Sequence, residues 1–369
     1  MPAPEPVRAR RLVGLAGGVL AVALAASFWI AAAKPDPLAT AIHERAEWIR
    51  TTKGGGQTWR QVADGSRGVL ASADSALARG DRELALQRLA EVWADLEGAR
   101  FLLRHDAGER GDMRAFEAEW KRQGATLEAP RGGPAAHALE CMAPAAVRAQ
   151  AEAALPQARI YYDASLDYAR STSPAAGLFY LGTARGQREF VELCRTLAER
   201  SPRRAPPVRP LHGELEALED ALLAAYRPPA SIDLHPRFIE ASSALKEARE
   251  LDEAGLHYGA LLRYLLAVQL ASRVRGAPPS VAAAELAGRL KALRARMTRG
   301  DIDHSIGMTF LESAEEDFAS AAPESAHATA SAIVTDVLPR YFDALASARP
   351  ETARPAAEIA VTLVRWPYT

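Results

Sequence analysis

Apolar and polar positions divide this chain into three regimes. From Leu12 to Ala33, 22 successive residues carry no charge and most are apolar. A helix rising about 1.5 Å per residue turns that run into roughly 33 Å, enough for a hydrocarbon core of about 30 Å. Between residues 34 and 356 apolar residues recur at helical spacing, as in Leu89, Val92, Leu96 and Leu103. The last stretch, 357–369, alternates instead: Ile359, Val361 and Leu363 predict a strand or an extended arm, which also carries Trp366 and Tyr368.

The flanks of the uncharged run give it a direction. Arg8, Arg10 and Arg11 precede it, and only Lys34 and Arg45 follow before Arg50. That asymmetry predicts a cytoplasmic tail over 1–11, a transmembrane anchor over 12–33 in a bacterial-type inner membrane, and a periplasmic main body. Trp29 suits the outer headgroup layer. Ala31-Ala32-Ala33 also fits the small-residue site of a cleaved signal. Either reading exports everything after Lys34.

Punctuation then predicts the elements. Asp36-Pro37 reads as a helix start, and Gly54-Gly55-Gly56 as its end. Helices follow over Gln57–Arg79 and Asp81–His105 around Gly80, then a turn to Asp112, a shorter helix to about Gln123 and a linker over Glu128–His137. Pro144 and Pro156 punctuate Ala-rich helices; Ala158–Arg170 is helical, and Pro174 starts the helix carrying Leu181, Phe190 and Cys194. Ser201–Pro210 holds four prolines in ten residues and predicts an extended linker between a first helical region, 34–200, and a second, 211–356. Helices are predicted there near 211–227, 236–254, 256–275, 280–298, 302–321 and 324–348. The fold class is all-α: an anchor, a helical-hairpin bundle or divergent repeat domain, and an extended tail.

Two segments share one spacing. "GDRELALQRLAEV" places Gly80, Ala85, Leu89 and Val92 at the same offsets as Gly255, Ala260, Tyr264 and Ala267 in "GLHYGALLRYLLA". The pattern resembles the turn and second helix of a tetratricopeptide hairpin, with Ala73 and Ala248 at the small position of the first helix. The resemblance implies a Gly turn, close helix pairs and stacked grooves that bind partners. The first-helix aromatic is replaced by Val69 and Ala244, and no tandem 34-residue array is present.

Composition narrows the function. Forty-five basic and 46 acidic residues give a net charge of −1, which argues against a nucleic-acid partner. Cys141 and Cys194 are the two cysteines; in an oxidising compartment they permit a disulfide, and two buried thiols are the alternative. "HERAE" (His43–Glu47) lacks the second His of a zinc peptidase motif. Asp301/His304 and Glu324/His327 place an acid three residues before a His, but at predicted helix starts, where capping explains the acid. "KGGGQTWR" lacks the Lys-Ser/Thr of a phosphate loop. No metal or other cofactor is expected, and no catalytic residue is assigned.

Surfaces remain. Tyr161, Tyr162, Tyr168, Phe179 and Tyr180 crowd into 20 residues, and Tyr258, Tyr264, Tyr341 and Phe342 gather in the second region. Aromatics at helical spacing are core unless exposed; exposed ones anchor interfaces. Tyr161, Tyr162, Tyr168, Tyr180, Tyr258, Tyr264, Trp366 and Tyr368 are the interface candidates. The expectation is a membrane-anchored scaffold or accessory subunit of an envelope complex, with an envelope enzyme or a ligand-binding ectodomain as the alternative.

Overall fold

The computed structural model describes residues 35–53, 56–127, 139–199, 202–275, 281–320 and 324–346. The 12–33 stretch, the 128–137 linker and the tail with Trp366 and Tyr368 lie outside them. Among the described residues the fold is all-α, with no strand, and no helix is long and apolar enough to cross a membrane.

The first region begins with α1 (Pro37–Thr51), α2 (Gly56–Arg79) and α3 (Arg82–Arg104). It continues through α4 (Met113–Leu127), α5 (Ala145–Ser171) and α6 (Pro174–Leu197). The second holds α7 (His212–Ala225), α8 (His235–Glu253), α9 (His257–Arg275), α10 (Ala283–Thr298) and α11 (Ser305–Ala319). α12 (Glu324–Ala332) joins α13 (Leu338–Ala346) through a π-turn over Ile333–Val337. At the start of α1, Asp36 accepts from the Leu38 N–H at 3.0 Å, and Pro37 needs no partner there. The Arg82 fork closes on the same carboxylate at 2.6 and 2.9 Å, tying the starts of α1 and α3 together.

Gly80 and Gly255 both turn their hairpins at positive φ, +89° and +74°. Each ends a helix with the same paired bonds. Gly80 N–H donates to Leu77 and Asp81 N–H to Ala76; Gly255 N–H donates to Asp252 and Leu256 N–H to Leu251. Ala85, Leu89, Ala260 and Tyr264 are all buried behind these turns, as are Ala73 and Ala248. The three hairpins α2/α3, α5/α6 and α8/α9 then lie side by side, with α3 on α6 and α5 on α9.

Pro156 does not break a helix. α5 runs through it for 27 residues. One lost hydrogen bond is outweighed because residues 145–154 pack into both main cores. Val147, Ala151 and Ala154 join the core built by α1–α3 and α6. Ala145, Ala146, Ala149 and Ala153 join the core of α7–α13. The proline-rich segment 202–210 is extended and strapped to the second region. Arg204 pairs with the backbone of Asp301 and Asp303 at 2.7 and 2.9 Å, Pro206 is buried, and its carbonyl accepts from the Tyr258 hydroxyl at 2.8 Å.

Helix N-termini are buried where these elements meet, and acids from distant parts of the chain cap them. Glu152 of α5, 1% exposed, accepts from Gly259 N–H of α9 at 2.9 Å and from Arg148 at 2.7 Å. Asp303 accepts from Ala145 N–H at the start of α5 at 2.5 Å, and the Ser305 hydroxyl accepts from Ala146 N–H at 2.8 Å. Glu312 of α11 accepts from Leu84 N–H at the start of α3 at 3.2 Å. Removing a buried acid strands both an arginine and an amide. Glu152→Ala is expected to lower the unfolding free energy by about 3 kcal/mol, read from the urea midpoint at pH 7. Glu216→Ala, an exposed acid, serves as the control and is expected to change it by less than about 0.5 kcal/mol.

Glu312 also carries a pH signature. Desolvation, followed by the charge of nearby Glu83, pushes its carboxyl up from 4.5 to about 8. The folded state therefore holds a proton across that window that the unfolded chain releases, and its share of stability falls as pH rises from about 4.5 to about 8. Glu312→Gln keeps an acceptor for Leu84 N–H. It is expected to flatten this slope, with a higher Tm than wild type at pH 8.5 and little difference at pH 4.

Candidate functional site

α3 packs on α6 and α9 on α5, so the middle hairpin lies between α3 and α9. Gln150 of α5 hydrogen-bonds Gln87 of α3. One turn further along α3, Glu91 lies in the field of Arg263 on α9, which is itself paired with Glu247 of α8 at 3.1 Å. A further turn on, the charge of Asp95 reaches Tyr161 and Tyr180, and Gly98, three residues beyond it, packs against the Phe179 backbone of α6. Glu91 and Asp95 are accessible yet desolvated by the helices around them, so these residues trace a concave face running from Gln87 to the tyrosines.

Tyr161 and Tyr168 are seven residues apart on α5, two helical turns, so they share a face. Tyr180 of α6 enters between them. Its ring stacks on Tyr168 at 3.9 Å and 6°, and lies 6.0 Å from Tyr161 at 30°. Phe179 meets Tyr180 edge-on at 5.8 Å. A hydrogen bond between Tyr168 and Tyr180, then desolvation, pushes the Tyr180 phenol up to about 12. Tyr168 is 40% exposed, and Ile160 and Leu155 of the same helix are exposed as well.

The acids of this face are unusual. Glu91 and Asp95 are both exposed, yet desolvation by the surrounding helices raises both carboxyls above their ordinary values. A carboxylate on a convex surface keeps its hydration; one in a concave wall does not. Glu91 accepts from Gln87 at 3.4 Å. Asp95 has neither an ion pair nor a hydrogen bond among the described residues.

Other predicted interface residues are elsewhere. Tyr162 points into a small core, stacked on Trp120 at 4.8 Å, and its hydroxyl donates to the Trp120 carbonyl at 3.1 Å. One residue from Tyr161, it lies about 100° round the helix, which separates core from surface. Tyr264 is buried in the second core, where Arg340 donates to its hydroxyl at 3.0 Å. Tyr258 is half-buried under the strap. The Cys141–Cys194 disulfide is not formed. Cys194 is sealed inside α6 and burial pushes its thiol up, while Cys141 is on the surface.

The other candidate chemistries disperse. His304 meets the Tyr341 hydroxyl at 3.0 Å, His327 meets the Val281 carbonyl at 2.8 Å, and Glu47 pairs with Arg50. Among the described residues no three His, Cys, Asp or Glu side chains converge on a metal position. A groove of about 360 Å³ opens between α1 and α2, with Ile42, Ile49 and Leu70 on its floor and His43, Arg50 and Arg67 at its rim. No family model, characterised protein or solved structure matches the chain.

Asp95 was not legible as a site residue, because a lone acid on an amphipathic helix reads as solvated surface. In the fold it has no compensating cation, which gives a testable sign. Its carboxyl is raised above 3.8, so its contribution to stability is lost as pH rises through that range, and at pH 7 the charge is a net cost. Asp95→Asn is expected to raise Tm at pH 7 by about 1–2 °C after allowance for solvent screening. The gain should disappear near pH 3, and thermal melts at the two pH values check it.

Proposed function

We propose that this chain is a membrane-anchored, extracytoplasmic scaffold or accessory subunit of an envelope complex. Residues 12–33 hold it in an inner membrane with the N-terminus in the cytoplasm, and the helical body binds a protein partner through the concave face of α3, α5 and α6. The reading rests on one observation above the others: three stacked tyrosines lie partly open on a helix face instead of closing into a core. Rigid, partly exposed aromatics are the residues that anchor interfaces. The near-neutral charge and the helical hairpins agree with a protein partner. The α1/α2 groove supports a second reading, a ligand-binding ectodomain, because it is an apolar-floored recess of about 360 Å³.

The test is purification of the full-length chain from membranes in mild detergent, wild type beside Tyr168→Ala and Tyr180→Ala. Wild type is expected to carry a stoichiometric partner. Both variants should lose it while retaining helical content and membrane association. A partner retained equally by both variants would remove this face from the interface. A lone wild-type chain whose Tm rises with an apolar small molecule would favour the groove instead.

A further inference from the structure

The molecule twice builds the same triad of arginine, aromatic ring and carboxylate. Arg45 lies 3.0 Å from the centre of the Trp93 ring and pairs with Glu97 at 2.7 Å. Arg148 lies 4.1 Å over the Tyr258 ring and pairs with Glu152 at 2.7 Å. In both, a guanidinium stacks on a π-face and is neutralised by an acid on the same or a neighbouring helix. The concave face presents two of these three parts. Tyr161, Tyr180 and Tyr168 supply ring faces, and Asp95 supplies a carboxylate near Tyr161 and Tyr180. Among the described residues no arginine or lysine stacks on those rings or pairs with Asp95. Arg263, whose charge reaches Tyr161, is already committed to Glu247.

We infer that the partner completes this triad: it enters the concave face with an arginine or lysine side chain, which seats between Asp95 and the Tyr161–Tyr180–Tyr168 ladder. The inference rests on the scaffold reading and names the chemistry of its partner. The negative ring faces attract a cation, and the attraction grows where water is excluded. Asp95 adds a full charge in the same concave wall, where the effective dielectric is below that of bulk water. Glu91, one turn away on α3, extends the acidic wall toward Gln87. Arginine is the better fit, because its planar fork stacks on a ring and pairs with a carboxylate at once. An acidic or purely apolar segment would leave Asp95 uncompensated.

The probe is a fluorescein-labelled heptapeptide, Gly-Arg-Gly-Arg-Gly-Arg-Gly, and its counterpart with glutamate in place of arginine. Binding to the full-length chain in detergent is read by fluorescence anisotropy at low salt. The arginine peptide is expected to bind and the glutamate peptide not to. Asp95→Asn and Tyr180→Leu should each weaken binding about tenfold, and Asp64→Asn, an exposed acid remote from this face, should leave it unchanged. Because Asp95→Asn is expected to be at least as stable as wild type, its loss of binding would not be unfolding. Equal binding by wild type and Asp95→Asn would overturn the inference, since the peptide would then be reading general surface acidity. Binding seen only with Arg365→Ala would assign the seat to the chain's own arginine and overturn it too. If no arginine peptide binds while Tyr168→Ala still strips the native partner, the cationic assignment fails and the scaffold reading stands. If Tyr168→Ala keeps the partner, the scaffold face itself fails.

Discussion

Capping of one helix's N-terminus by a carboxylate from another holds the two regions of this molecule together. An α-helix leaves its first amides without partners inside the helix. Surface helices give those amides to water. Here the starts of α3, α5 and α9 point into the protein, where water cannot serve them. Glu312 of α11, Asp303 just before α11 and Glu152 of α5 each reach across and accept from one of them. Glu152 and Asp303 need their donors as much as the reverse, since a buried carboxylate without donors is costly. The approach is backbone to side chain at close range. A Cβ at Gly259 would sit 3.0 Å from the Cβ of Glu152 and 3.1 Å from the Ala153 nitrogen, so any larger residue there would push α5 and α9 apart by a few tenths of an ångström.

This arrangement has a consequence for the concave face. Glu152 fixes where α9 begins relative to α5, and Arg263 follows one turn along α9. Glu312 fixes where α3 begins relative to α11, and Glu91 and Asp95 follow two and three turns along α3. The two walls are therefore positioned by their own helix starts, not by loops. The protein's acids also divide into two kinds. Glu152 and Glu97 are buried and paired with arginines, and Asp303 is buried against amides. Asp95 is accessible, desolvated and has no such partner. An accessible charge that costs stability is what the proposed interface would use.

Local chemistry was readable from the chain. The Asp36-Pro37 start and the Gly80 and Gly255 turns depend on groups within a few residues of one another, so the sequence pattern contains their whole cause. The long-range partners were not readable. Glu152 stands alone in the alanine run Ala149–Leu155, a sign that it is buried with a partner, but nothing in the run identifies Gly259, 107 residues away. Tyr161 and Tyr162 look equivalent in sequence, and only the position of α4 and α6 assigns one to the surface and one to the core. Pro156 looked like a boundary because the proline rule is local. The packing that overrides it comes from both cores at once.

Pro156 marks a boundary of another kind. Before it, α5 is enclosed on nearly every side, and its alanines let two cores press against a narrow helix. After it, the same helix becomes amphipathic, with Tyr162, Ser165 and Ala169 inward and Ile160, Asp163 and Tyr168 outward. The enclosed half supplies rigidity, and the projecting half displays the ladder. An aromatic side chain on a loop would lose conformational entropy on binding. One held on a helix that is clamped for its first ten residues has already lost it. Rigidity gained in the Ala-rich half therefore reappears as preorganisation in the Tyr-rich half. This explains why the ladder is built on a helix whose first half is enclosed by both cores instead of on a peripheral one.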